Sequence, residues 1–320
     1  MNSIILAADN GRQGSGTVCV ANESRFNAAH YSEPLTTYTV GWKDPEDLQS
    51  LLDFIAPAVY VNRRFEFKRA DNAEAFLSET DDVRSIGSSF KRVSYSGESV
   101  NEKTLNKGLT IRVDHDEAVG DDWRERYVQL LIQRLLRNEV RAAFSALDAE
   151  SSEESVNWVW DAANNASVNP DGDLRSGLSL CGDESGVRPN RILLGESAWD
   201  LRASAYEQQE SAGAFRSASL TPEQLAQKLF VEGIHIIHGR YQQGTEKARL
   251  LGDAAYFYYA ADGQMKDEPS NVKRFVTPVE NGNFRVYVEE SSKYTDITVE
   301  HYSNIVVTSS LGLRKLKVSS

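Results

Sequence analysis

DDWRERYVQLLIQRLLRNEVRAAFSAL, residues 121–147, is the most strongly periodic stretch of the chain. Trp123, Tyr127, Leu131 and Leu135 follow at four-residue steps, and Leu130, Leu136, Val140, Ala143, Phe144 and Leu147 widen the same stripe. That is the 3.6-residue repeat of a half-buried helix. Asp121 and Asp122 precede it, where negative charge complements a helix N-terminus, and no Gly or Pro interrupts it. The spacing predicts one unbroken rod of about 40 Å, at about 1.5 Å per residue, long enough to act as a spine. Arg134, Arg137 and Arg141 fall on its other face and read as solvated surface.

A chain of 320 residues with 40% hydrophobic content can bury a large core, as two domains or one elaborated domain. The formal charge of −12 argues against sequence-independent binding to nucleic acid, which needs many Lys and Arg to neutralise phosphates. Cys19 and Cys181 form neither a disulfide framework nor a zinc spacing, which fits a reducing compartment. No run approaches the roughly 18 apolar residues of a membrane span, and the first residues lack a basic signal-peptide region. The expectation is a soluble, cytoplasmically made protein without membrane contact.

Residues 1–43 read as an N-terminal arm of short apolar runs among Gly, Ser and Asn. Gly11, Gly14 and Gly16 are not followed by the helix that a phosphate loop requires. Within 44–60, Asp44, Pro45 and Glu46 start a short helix with Leu48, Leu51, Leu52 and Ile55 on its buried side, and Pro57 ends it. Residues 61–113 alternate Phe65 and Phe67 with Arg64, Glu66 and Lys68, close with period-two strands, and are polar and Gly-containing between them. A long stretch with so little to bury predicts an extended β-ribbon leaving the body and resting on a neighbour. Arg63, Arg64, Lys68, Arg69, Glu74, Lys91 and Arg92 are its candidate inter-subunit contacts. After the spine, the acidic run 150–154 reads as a polar break and domain boundary. A βαβα alternation follows, with Asp171 to Asp173 capping a helix that carries Leu174, Leu178 and Leu180. Arg191 to Leu194 make a buried strand, Ser197 onward is helical, and Thr221 with Pro222 opens another helix. The last third is β-patterned, so the class is α+β, with the final strands expected beside the spine.

Patterns that could carry chemistry are incomplete. GESAW, residues 195–199, has Trp199 where a nucleophile elbow needs its second glycine. His235 and His238 lie in a strand-like run that sends the rings to opposite faces, and no third ligand is evident. Asp114, Asp116 and Glu117 flank His115 in the manner of surface charge before a helix. NPDGDL lacks the further oxygens of a calcium loop. No catalytic residue, metal ligand or cofactor-binding residue is assigned.

The order of parts, together with GDDWRERYVQLLIQRLLRNE, DGDLRS, RPNRILLGESAWDLRA, DEPSNVKRF and KYTDITVEHYSNIVVTSSLGLRKL, resembles the major capsid proteins of tailed bacteriophages. The resemblance covers most of the chain from Asp44 onward and is weakest in residues 1–43 and 207–218. It implies an α+β capsid fold in which 114–150 form a peripheral domain around the spine, 151–290 an axial domain, and 291–320 strands returning to the peripheral domain. It implies a subunit with no catalysis and no cofactor. Hexamers and pentamers of it would close into an icosahedral head around double-stranded DNA, assembled in the host cytoplasm and residing in the virion. Scaffolding, portal and decoration proteins are possible partners. With no long charged helical segment ahead of the arm, a separate scaffolding protein or none is expected. Two alternatives stand beside it: a bacterial nanocompartment shell of the same fold, and a cytoplasmic α+β enzyme with an unrecognised site.

Overall fold

The computed structural model describes residues 30–42, 47–69, 98–118, 120–160, 168–209, 212–263, 266–279 and 282–319, with Val83 and Ser89. Its helices, in chain order, are α1 (Glu33–Gly41), α2 (Leu48–Ile55), α3 (Trp123–Glu150), α4 (Pro170–Ser185), α5 (Glu196–Glu207), α6 (Ala212–Ala218) and α7 (Pro222–Leu229). The arm before His30 and the helix-starting Asp44, Pro45 and Glu46 lie outside the described residues. None of these helices is long and apolar enough to cross a membrane.

The 28 residues of α3 span about 42 Å. Val128, Leu131, Ile132, Leu135, Leu136, Val140, Ala143, Phe144 and Leu147 are buried, as is one carboxylate, Glu139. Three members of the expected stripe depart from it. Leu130 is 49% exposed, and Trp123 and Tyr127 are only half-buried at the core's rim, packed edge to face on each other. Steps of four residues turn about 400°, so each drifts about 40° round the axis, and three steps back from Leu135 the side chain has left the buried arc.

Five strands make the first sheet: β1 (Ala58–Tyr60), β11 (Val272–Val276), β13 (Tyr294–Val307) and β12 (Phe284–Glu290) in that order, with β4 (Leu105–Asp114) on the other side of β13. This sheet packs on α3 through Val286, Ile297 and Val299. The strand that closes the 61–113 segment therefore belongs to the body, because Leu109 and Ile111 pack against the α3 core. The ribbon proper is β2 (Arg64–Arg69) paired antiparallel with β3 (Glu98–Lys103).

A second sheet runs β5 (Ser152–Asn157), β14 (Arg314–Ser319), β10 (Ala254–Tyr258), β6 (Arg191–Gly195), β7 (Gly233–Ile237). Ile192, Leu194, Ala255 and Phe257 face Leu174, Leu178 and Leu225 of α4 and α7, while Leu193, Tyr256 and Tyr258 face the α3 core. Burial on both faces explains why Ile192 to Gly195 and Ala254 to Tyr258 are unbroken apolar runs. In α4, Cys181 rather than Leu180 completes the buried stripe. A second hairpin, β8 (Arg240–Gln243) with β9 (Glu246–Arg249), stands apart from both sheets.

Three expectations about boundaries need correction. The acidic run after α3 continues as strand β5, because Glu153 meets Lys315 and Lys317 at 3.2 and 3.7 Å and Glu154 meets Arg314 at 3.9 Å on the parallel neighbour β14. An exposed edge strand held by opposite charge does not need apolar alternation. Residues 291–320 split, β13 entering the sheet on α3 and β14 the second sheet. Residues 151–290 are likewise shared, since they supply β11 and β12 to the first sheet.

Candidate functional site

The base of the ribbon is built on an aromatic platform. Alternation turns Phe65 and Phe67 to one side of β2, where their rings lie 4.3 and 5.4 Å from that of Phe275 in β11, with Val59, Val61, Val100 and Val306 around them. The other side of β2 presents Arg64, Glu66 and Lys68 to solvent, opposite Lys103, Asn101 and Ser99 of β3. Arg64 and Lys103 are direct cross-strand partners of like charge. Such a pair disfavours the isolated ribbon and favours an incoming carboxylate.

The body grips this base by backbone bonds. Lys68 N–H donates to Asp267 at 2.9 Å, Lys266 Nζ donates to the Glu66 carbonyl at 2.9 Å, and Asn304 Nδ2 donates to the Lys103 carbonyl at 3.0 Å. The loop carrying Lys266 and Asp267 is organised by Lys273, whose buried ammonium donates to the carbonyls of Lys266 and Glu268 at 3.1 and 3.0 Å and meets the Glu268 carboxylate at 3.3 Å. Burial pulls the Lys273 pKa below its ordinary value, and the charge and hydrogen bond of Glu268 oppose that shift. Arg63 lies with its guanidinium 4.3 Å over the ring of Tyr302, and Arg69 is half-buried. Of the candidate contact residues, Arg64 and Lys68 thus share one exposed face, Arg63 stacks on its own subunit, and Glu74, Lys91 and Arg92 lie outside the described residues.

The spine is fixed to the first sheet by a polar cluster around Glu139. Glu139 accepts from Lys107 at 2.6 Å and from Ser303 at 2.8 Å, and His301 stands 4.0 Å away. Burial alone would raise the Glu139 pKa; the charge of Lys107 and the two hydrogen bonds outweigh it and hold the carboxyl below its usual range. Burial also pushes His301 down to about 4, so this imidazole is neutral at pH 7. Periodicity could have found Glu139, since it lies four residues after Leu135 and four before Ala143.

No protein-family model matches the chain, and neither does any curated protein. Solved structures do. A phage-related protein from Bordetella bronchiseptica RB50 superposes with a TM-score of 0.67 over 90% of this chain and 96% of its own, at 20% identity. The capsid of an empty GTA particle superposes with a TM-score of 0.50 over 87% of this chain and 92% of its own, at 11% identity. The chain has the phage capsid fold.

Within the capsid fold, the residues that mimic catalytic patterns have local structural surroundings. A Cβ on Gly195 would overlap the carbonyl oxygen of Gly252, so this glycine serves the close approach of β6 to the 251–253 turn. Ser197 Oγ is buried and has no hydrogen-bond partner among the described residues, which leaves it there without the base that activates a nucleophile. His235 packs on Phe54 with ring centroids 4.2 Å apart, whereas His238 and Arg240 meet Glu196 at 3.4 and 2.6 Å. Asp114 accepts from the Asp116 backbone at 3.1 Å in an exposed turn, and His115 reaches Thr295 at 3.1 Å. Asn169 caps α4 through the Gly172 N–H at 3.1 Å, which is what NPDGDL is for. Among the described residues no group of three or more His, Cys, Asp or Glu could hold a metal ion.

Proposed function

We propose that this chain is the major shell subunit of a phage head, many copies of which close into an icosahedral capsid around double-stranded DNA. The observation that carries the reading is the superposition on a GTA particle capsid over 87% of the chain, beside that on a phage-related protein over 90%. The ribbon base adds support. Its inner face is committed to Phe275, and its outer face sets Arg64 directly opposite Lys103. A neighbouring subunit's carboxylates are the natural partners of that face, and such pairs set register and partner choice more than raw affinity. Residues 61–113 then act as the extended loop over a neighbour, with the closing strand β4 returning to the body; α3 with the first sheet acts as the peripheral domain, and the second sheet with α4 to α7 as the axial domain. The net charge of −12 suits a container that must load and release DNA, since a lining that gripped phosphate would hinder both. Scaffolding, portal and decoration proteins complete the proposed set of partners.

Electron microscopy of the purified protein combined with nuclease protection of native particles tests the reading. Closed shells that protect double-stranded DNA support it; shells enclosing enzymes point to a nanocompartment, and a monodisperse small species with turnover points to an enzyme. Replacing residues 77–90, of which Val83 and Ser89 alone are described, by a short Gly-Ser turn should leave a folded subunit that no longer closes shells. Arg64→Glu should weaken assembly at low salt, and raised salt should narrow the difference by screening.

A further inference from the structure

Helix α3 carries a run of charge that its own stability does not explain. Between residues 126 and 147 every charged side chain that reaches solvent is an arginine, and the one carboxylate, Glu139, is buried. Arg126 is met by Asp122 at 3.6 Å. Arg134, Arg137 and Arg141 follow at steps of three and four, which sets them in one line along the rod. No Asp or Glu stands three or four residues from any of these three. A solvated helix face interleaves both signs, whereas here Arg134 with Arg137 and Arg137 with Arg141 are like-charged neighbours, which weaken a helix. The helix dipole does not ask for them either. It favours cations in the last turn, which holds none and carries Asp148 and Glu150 instead. In a chain of formal charge −12 the stripe is a local reversal of sign, and a local rule broken without a local gain marks a functional surface.

The surroundings leave that charge on the helix. Arg141 lies with its guanidinium 4.4 Å over the ring of Tyr241 in the β8–β9 hairpin, which steadies it. Beside it opens a cleft of about 420 Å³ between α3, Tyr241 and β14. The lysines of this cleft are already balanced, since Lys315 meets Asp148 at 2.8 Å and Glu153 at 3.2 Å, and Lys317 meets Glu153 at 3.7 Å. The form of the stripe selects the partner. A protein docking patch has an apolar core inside a polar rim, and Leu130 is the one exposed large apolar side chain of α3. A guanidinium matches a phosphate with two parallel N–H bonds. Arg134 to Arg141 covers about 10 Å of the rod, and the phosphates of one strand of duplex DNA rise about 3.4 Å each, so three arginines face about three phosphates.

We propose that Arg134, Arg137 and Arg141 on the exposed face of α3 contact the phosphate backbone of double-stranded DNA, so that this face of the subunit lines the interior of the shell. This inference rests on the shell-subunit reading and adds to it the surface that meets the duplex. Contacts to about three phosphates give an affinity that falls about fortyfold between about 50 and about 200 mM salt. So few and so salt-sensitive a set positions the duplex without gripping it, and the acidic remainder of the chain opposes tighter binding, which keeps loading and release open.

The test measures binding of a short labelled DNA duplex of mixed sequence to the full-length chain by fluorescence anisotropy across a salt series. The parent is compared with the triple variant Arg134→Gln/Arg137→Gln/Arg141→Gln and with the triple variant carrying lysine at the same positions. Thermal melting reads folding, and light scattering with microscopy reads shell formation. The parent should bind with a log–log salt slope of about −3, and the glutamine variant at least about tenfold more weakly at about 50 mM salt with a slope near zero. The glutamine variant should melt at or above the parent's temperature and form shells at the parent's concentration, and the lysine variant should keep most of the slope. A parent that does not bind the duplex, or a glutamine variant with the parent's affinity and slope, overturns the contact and leaves the shell reading intact. Polyglutamate that displaces the labelled duplex as well as unlabelled duplex does overturns the choice of phosphate. A glutamine variant that binds DNA as the parent does but assembles only at higher concentration assigns the stripe to a protein neighbour and overturns the proposal. A parent chain that binds the duplex with the stated slope but forms no shell refutes the shell reading and leaves the contact standing.

Discussion

Replacing Glu139 by leucine tests whether a buried ion pair, and not apolar packing alone, fixes the spine to the first sheet. The carboxylate is 2% exposed and takes two short hydrogen bonds, 2.6 Å from Lys107 and 2.8 Å from Ser303. Removing one partner of a fully buried pair costs about 3–5 kcal/mol, chiefly because the other charge is stranded. Lys107 is 28% exposed and can recover part of its hydration, while Ser303 cannot, so the expected loss is about 2–3 kcal/mol. Replacing both charged partners by apolar groups of similar shape removes the stranded charge, so Glu139→Leu/Lys107→Met should return to within about 1 kcal/mol of the parent. Urea unfolding of the soluble subunit, followed by circular dichroism, gives both numbers. A Glu139→Leu single variant within about 0.5 kcal/mol of the parent would refute the reasoning, as would a double variant less stable than the single.

Acid should weaken the subunit through His301. Its folded pKa lies near 4, below the ordinary value of about 6.5, so its contribution is complete above about 6.5 and is lost as pH falls towards 4. Going from about pH 8 to about pH 5 should cost about 2 kcal/mol, and a pH profile unchanged in His301→Phe would contradict this assignment. Leu131→Asp, at a buried position of α3, should yield insoluble or unfolded protein, whereas Leu130→Asp on the exposed arc should stay soluble. Equal solubility of the two variants would show the helix face to be wrong. Ser197→Ala removes a buried hydroxyl without a partner and should be neutral or stabilising by up to about 1 kcal/mol; loss of an ester-hydrolysis activity in this variant would count against the non-catalytic reading. Protein purified without added metal should carry no stoichiometric zinc, as measured by elemental analysis.

The sequence by itself determined the local elements whose side-chain period meets a single environment. The α3 repeat, the α7 start at Thr221 and Pro222, the doubly buried β6 and the alternation of Phe65 and Phe67 were all legible, because helix and strand geometry maps spacing directly onto direction. What faces each direction is a long-range matter. Only the tertiary structure decided that Phe65 and Phe67 lie on Phe275, more than two hundred positions away, so that the ribbon's base belongs to the subunit's own packing. Only it placed the acidic Ser152–Asn157 beside Arg314–Ser319 as a strand held by opposite charge, where composition alone read a break. It also decided the fate of Glu139, which a polar residue on an apolar stripe leaves open. A carboxylate survives burial there only because Lys107 and Ser303 of two other strands meet it, and no local pattern records what a residue distant in the chain will bring opposite it.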